Sequence, residues 1–260
     1  MFQRGPGRPR KKRGLWSLER HPDRAIAKHL SAPIGGLNVR DSLAAMPAED
    51  AVELINFIPA PYGCEVRKGY EQHATGVTGG VNTLAVYSPS TGDKSSSGDE
   101  LYAFGEDAMY DVTAVGTAVS KVTTLTNNLW DCTQFETAGG HFLICVNGAD
   151  DPIAYDGTTF HRLEDGDGTD PNTIGGSIDP AKFIRLLTHK RRLWFVEKNS
   201  TTAWYLPSDQ YYGVAASFDF GALFPNGGYL YALGSLSLDA GDGPDDLFLA
   251  FSSNGDVAVY

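Results

Sequence analysis

Residues 142–155 read FLICVNGADDPIAY. Five apolar residues run into Asn147-Gly148-Ala149-Asp150-Asp151, and a second apolar stretch returns to Tyr155. Asn, Gly and Asp tolerate the backbone angles of tight turns, so the stretch predicts a strand, a turn and an antiparallel return strand. Three other stretches have the same form. They are LYAFGEDAMYDV at 101–112, LWFVEKNSTTAWYL at 193–206 and LFLAFSSNGDVAVY at 247–260. Each opens near a leucine (Leu101, Leu143, Leu193, Leu247) and reaches a tyrosine (Tyr110, Tyr155, Tyr205, Tyr260). The leucines lie 42, 50 and 54 residues apart. A β-unit recurring every ~40–50 residues has the length of a propeller blade. The chain therefore reads as all-β, a propeller-like series of repeated antiparallel hairpins. It carries no Trp-Asp closing dipeptide and no kelch Gly-Gly doublet in register.

Closed propellers use about 4–8 blades of four strands each. The fourth copy reaches Tyr260 in mid-strand. The expectation is a sequence that stops inside a repeat, with further blades in a longer protein or in another chain. Before the first copy, TLAVY at 83–87 predicts another strand, and SPSTGDKSSSGD at 88–99 predicts a hairpin-tip loop.

The remainder divides by composition. Residues 1–33 form a basic arm, expected to be disordered with at most a short helix after Pro22. Residues 34–80 are an extended Pro/Gly-rich segment, and 81–260 the β domain. The net charge of −11 hides this division, because residues 1–40 hold ten basic and two acidic residues, leaving −19 on the rest. That division excludes a uniformly acidic surface and argues against a chain-wide nucleic-acid-binding body. No run approaches the ~18 apolar residues of a membrane helix, and the basic N-terminus lacks the apolar stretch of a secretory signal. Cys64, Cys132 and Cys145 are odd in number and show no C-x-x-C spacing. That argues against a disulfide framework or a zinc site and predicts buried small apolar residues.

Candidate chemistry is sparse. Arg8 is the centre of a Gly-Arg-Pro core, flanked by Arg4, Arg10, Lys11, Lys12 and Arg13, that is similar to an AT-hook, which lies extended in the minor groove of A·T tracts. Loose phosphate contact, or a tail with another role, are the alternatives. The loop LEDGDGTD at 163–170 fails as a calcium-binding EF-hand, because Asp170 and Gly176 stand where glycine and glutamate belong. Nucleophile motifs, P-loops and His-Glu-x-x-His are missing, and the six histidines lack metal-ligand spacing. His141 and His161 flank the second hairpin and could approach one another. No catalytic residue, metal or cofactor is assigned, and the chain reads as a non-enzyme. Trp194, Phe195, Trp204, Tyr205, Tyr211 and Tyr212 follow His189-Lys190-Arg191-Arg192, a mixture able to bind nucleic acid or sugar. Their alternation favours blade-core positions, with 190–192 as a local basic patch.

Residues 34–70 carry a resemblance. The order Asn38, Arg40, Asp41, then Asn56, Pro59, Gly63, Arg67 and Gly69 is similar to the opening of tail structural proteins of short-tailed bacteriophages. These are the propeller-containing nozzle, tubular or DNA-stabilisation proteins that join the portal to the tail tip. Tyr155-Asp156-Gly157-Thr158-Thr159-Phe160 resembles their blade turns. The resemblance implies a ring-forming virion protein of the tail, made in the host cytoplasm. Its partners would be further copies and other tail, portal or adaptor proteins, with transient DNA contact and no membrane anchor. Read unaided, Asn38 and Asp41 can cap a turn, Arg40 can pair with Asp41 or Glu49, and the prolines keep the segment extended. The rival readings are a carbohydrate-binding or carbohydrate-processing propeller, and a DNA-binding module acting through the arm.

Overall fold

The computed structural model describes residues 31–89, 98–239 and 244–260. The chain divides into two compact units between Tyr70 and Glu71. The basic residues Arg4 to Arg13, and the helix expected after Pro22, lie outside the described residues.

In the first unit, β1 (Gly36–Leu37) pairs in parallel with β2 (Asp50–Ala51). A hairpin joins β3 (Phe57–Ala60) to β4 (Gly63–Val66). None of residues 31–70 is buried.

The second unit is all-β and propeller-like. After β5 (Ala74–Thr75) come β6 (Thr83–Tyr87), β7 (Glu100–Phe104) and β8 (Ala108–Asp111); then β9 (Gly116–Thr117), which pairs with β5, and β10 (Val119–Thr123). Strands β6, β7, β8 and β10 make the first four-stranded antiparallel sheet. The second sheet contains β11 (Asp131–Thr137), β12 (Gly140–Val146), β13 (Ile153–Tyr155) and β14 (Phe160–Arg162). Two short strands follow, β15 (Glu164–Gly166) and β16 (Thr173–Gly175). The third antiparallel sheet uses β17 (Phe183–His189), β18 (Arg192–Glu197), β19 (Thr202–Tyr205) and, after β20 (Gly213–Val214), β21 (Ala216–Asp219). β15, β16 and β20 form a small parallel sheet of their own. Last come β22 (Leu230–Asp239), β23 (Pro244–Ser252) and β24 (Val257–Val259), an antiparallel sheet of three strands among the described residues.

The four hairpins read from the sequence are the second and third strands of these four sheets. The first strands neighbour one another in order, β6 by β11, β11 by β17 and β17 by β22, as around a propeller axis. The sheets stack face to face. One core between the first and second sheets contains Tyr102, Phe104, Cys145 and Tyr155. Another, between the second and third, contains Phe142, Ile144, Phe183 and Phe195. A further one, between the third and fourth, contains Val196, Ala203, Phe248 and Ala250. Each inner sheet is covered on both faces, which is why its second strand reads as a continuous apolar run rather than an alternating one. β6 has one covered face: Ala85 and Tyr87 are buried, whereas Leu84 and Val86 are exposed.

The tyrosine signature does not mark one structural position. Tyr155 lies opposite Leu143 and Tyr205 opposite Trp194, while Tyr260 exchanges backbone hydrogen bonds with Phe248 and is 73% exposed. The blade turn at 155–160 is tightly built. The Asp156 carboxylate accepts the Thr158 and Thr159 N–H groups at 2.7 and 2.6 Å, and Phe160 stacks on Tyr155 with centroids 4.1 Å apart. Gly157 has φ 90°, and a Cβ there would fall 2.4 Å from the Tyr87 hydroxyl of the first sheet. Only glycine suits that position.

The cysteine expectation needs correction. Cys145 is buried, but Cys64 and Cys132 are only partly so, because both lie on strands at sheet edges.

Candidate functional site

Two features stand out. The first is the surface of residues 31–70. Asn38 organises it: its side-chain amide N–H donates to Asp50 at 2.7 Å and Asp41 at 3.0 Å, and its carbonyl accepts the N–H groups of Arg40 and Asp41. The expected Arg40 pairing is not made. Asp41 is held by the Asn38 amide, and Arg40 belongs to none of the ion pairs among the described residues. Asn56, at φ 60°, closes the open end of the β3–β4 hairpin by accepting the Arg67 N–H at 2.7 Å. Pro59 lies opposite Cys64, and Gly63 opposite Ala60. The Cys64 thiol donates to the Pro33 carbonyl at 3.6 Å. Gly69 has open space around it. Side chains of this segment are largely uncovered, including Val39 at 83%, Leu43 at 77%, Tyr62 at 99% and Tyr70 at 91%. The sequence reading of an extended Pro/Gly-rich segment did not anticipate this exposure, because short apolar runs carry no signal of whether they are covered.

The second feature is a cavity of about 430 Å³ between the third and fourth sheets. Trp194, Phe218, Phe220 and Phe248 wall it, and Lys190 and Arg192 also line it. None of its lining residues is a carboxylate. Beside it is the β17–β18 turn, where Lys190 (φ 46°) and Arg191 (φ 63°) both adopt left-handed backbone. Such a turn normally takes Asn-Gly. Asp209 holds it instead. Its carboxylate receives the Arg191 guanidinium at 2.8 and 2.6 Å, and its N–H donates to the Arg191 carbonyl at 2.8 Å. His189 is turned inward, 3.0 Å from the Ser235 hydroxyl and edge-on to Phe248. Burial, and then neighbouring Lys190, push its pKa down, which favours the neutral ring. Arg192 lies 5.5 Å from the centre of the Tyr205 ring, within cation–π range. Trp194 Nε1 is buried without a hydrogen-bond partner, whereas Trp204 Nε1 donates to Glu197 at 3.0 Å.

The six clustered aromatics thus separate. Phe195 is fully buried, while Trp194, Trp204, Tyr205, Tyr211 and Tyr212 keep partial exposure. The basic patch separates too: Arg191 is paired, and Lys190 and Arg192 carry no ion pair among the described residues. His161 engages Asn172 at 2.7 Å and Asp156 at 3.4 Å. In the 163–170 loop two carboxylates are engaged by its own turn, Asp167 accepting from Thr169 and Asp170 from the Asn172 N–H. Among the described residues, no group of three or more His, Cys, Asp or Glu could hold a metal ion.

No protein-family model matches the chain, and no curated protein matches it. Among solved structures, two crystals of BBS1N in complex with ARL6DN, one soaked with lead and one with mercury, show distant similarity. Identity is 13% in both, over 69% of this chain, with TM-scores of 0.38 and 0.39. The alignments cover 52% and 51% of those chains, so this chain spans about half their length. The protein is a mostly-β, propeller-like chain, and that description rests on its own sheet order.

Proposed function

We propose that this chain is a structural component of a short-tailed phage particle, part of the head–tail joint or tail nozzle, which assembles into a ring around the DNA channel. The observation that carries this reading is the ordered segment 31–70. It has a defined hydrogen-bond pattern, no buried residue and a row of exposed apolar side chains. A surface of that kind gains its burial by docking on another subunit or on a neighbouring tail protein. The resemblance of residues 34–70 to tail proteins supports the same function. In such a ring the acidic body, −19 beyond residue 40, would keep DNA from adhering to the channel wall.

Mass photometry and negative-stain imaging of the full chain test this reading. Rings or discrete oligomers are expected, and deletion of residues 34–70 should abolish them. A monomer at all concentrations, alone and with its neighbouring tail proteins, would overturn the proposal. Tight duplex binding after removal of residues 1–33 would overturn the acidic-wall part alone. The aromatic cavity favours a second reading, a carbohydrate-binding propeller, because flat aromatic faces suit sugar rings. Glycan binding lost in Trp194→Ala, by a chain that forms no ring, would decide for it.

A further inference from the structure

Cys132 and Cys145 lie 13 positions apart in sequence and directly opposite one another in the β11–β12 pair. The hairpin closes through a two-residue turn, Ala138-Gly139, between Thr137 and Gly140. That turn makes Thr137/Gly140 the first hydrogen-bonded pair, and bonded and non-bonded pairs then alternate. Counting back along the register puts Cys132/Cys145 in a non-hydrogen-bonded pair. There the two Cα atoms approach to about 4.5 Å, inside the range a disulfide spans. Both side chains face the same core, Cys145 as a buried member and Cys132 packed against it. Cys132 is also among the neighbours that act on the Cys145 thiol. Among the described residues β11 pairs only with β12, so Cys132 stands on a sheet edge and keeps partial exposure, while Cys145 has none.

We propose that Cys132 and Cys145 are an oxidisable pair, a cross-strand disulfide site that closes by exchange with a low-molecular-weight disulfide. The Cys132 thiolate attacks one sulfur of the reagent, whose S–S bond breaks and releases one thiolate. The Cys145 thiolate then attacks the Cys132 sulfur and expels the second. Two cysteine thiols are oxidised, one reagent disulfide is reduced to two thiols, and the two cysteine protons end on them. The order follows from access. Burial, then the Cys132 thiol and the Asp131 carboxylate, push the Cys145 thiol well above its ordinary pKa. Cys145 therefore acts second and only on a sulfur already beside it. The closed bond would fasten the first strand of the second sheet to its neighbour, a property independent of any partner.

The test uses the full chain carrying Cys64→Ser, which leaves only this pair. After incubation with excess oxidised glutathione under native conditions, thiols are counted in denaturant. Both thiols should be lost with no glutathione retained, and reduction should restore them. Cleavage after Glu136, which lies between the two cysteines, should leave two peptides joined until reduction. In Cys132→Ser with Cys64→Ser, Cys145 should react about tenfold more slowly or worse. A stable glutathione adduct on Cys132 with Cys145 free would overturn the proposal. So would two unreacted thiols, or unfolding on oxidation.

Discussion

Residues 31–70 and residues 71–260 are ordered by different means. Every buried residue among those described lies in the second unit, most of them in shared cores between stacked sheets and a few in a cluster of Ala103, Ala108, Tyr110 and Val112 against Ala74 and Val77. The first unit has a satisfied asparagine hub, a parallel bridge and one hairpin, and no core. Hydrogen bonds can fix a shape, but a two-stranded hairpin is marginal in water without a covered apolar face. One unit is self-sufficient in core packing, and the other leaves its apolar side chains largely uncovered.

Truncation of the core tests the self-sufficient side most severely. Phe183 and Phe195 are fully buried and stacked with centroids 4.5 Å apart. Phe195→Ala should cost about 3–5 kcal/mol in urea unfolding; a cost under ~1 kcal/mol would show that the sheets do not share this core. Gly157→Ala comes next, at about 1–3 kcal/mol, from left-handed backbone and the closeness of Tyr87. Its thermal midpoint should fall with no change in secondary structure by circular dichroism. Asp209→Asn keeps the residue type's tolerance of left-handed backbone and removes the charge. The Arg191 side chain is 72% exposed, so the loss should be below about 1 kcal/mol and should shrink further in high salt.

Acidity separates carboxylates of opposite behaviour. Burial raises Asp156, but the Thr159 and Thr158 N–H groups and His161 outweigh it and hold the carboxyl below its ordinary range. Its contribution is present above the unfolded pKa and is lost as pH falls through the lower folded one. Burial raises Asp131 more than its hydrogen bonds, led by the Leu186 N–H, lower it. Its contribution is therefore greatest at low pH and declines as pH rises through its folded pKa. Thermal midpoints taken across the carboxylate range should fall less steeply on the acid side in Asp156→Asn than in the parent chain. Steeper acid loss in the variant would contradict this assignment.

The smallest effect on stability is expected where the comparison is sharpest. Tyr62→Ala should change unfolding free energy by no more than about 0.5 kcal/mol, since the side chain is 99% exposed. Its oligomer mass distribution should nevertheless shift toward smaller species. A stability loss like that of Phe195→Ala would mean that residues 31–70 carry a core of their own.

Part of this was legible in the sequence. The second and third strands of each sheet were readable because burial on both faces produces runs such as FLICV and LWFVE, bounded by Asn, Gly and Asp. β6 was read at its observed limits, since TLAVY ends at Pro/Ser/Gly-rich sequence. The fourth strands were not seen. β14 is FHR and β21 is ASFD, too short and polar to produce a period. β11, DCTQFET, is a half-covered edge strand whose polar side conceals it. The small parallel sheet of β15, β16 and β20 joins segments nearly fifty residues apart through stretches rich in glycine. At the candidate site the basic turn was recognised, but its clamp was not, because Asp209 is 18 positions from Arg191. The cysteine pairing was hidden for a similar reason: only the two-residue turn at 138–139 defines which residue faces which.

The alternation along β12 has a consequence for misfolding. Phe142, Ile144 and Val146 enter one core, while Leu143 and Cys145 enter the other. A slip of this strand by a single position would exchange the two sets at once, sending phenylalanine into space shaped around leucine and cysteine on one side and leaving a void on the other. Hydrophobicity alone would not detect the error, since both sets are apolar. Shape does, on both faces simultaneously, so the strand is proof-read twice by its neighbours.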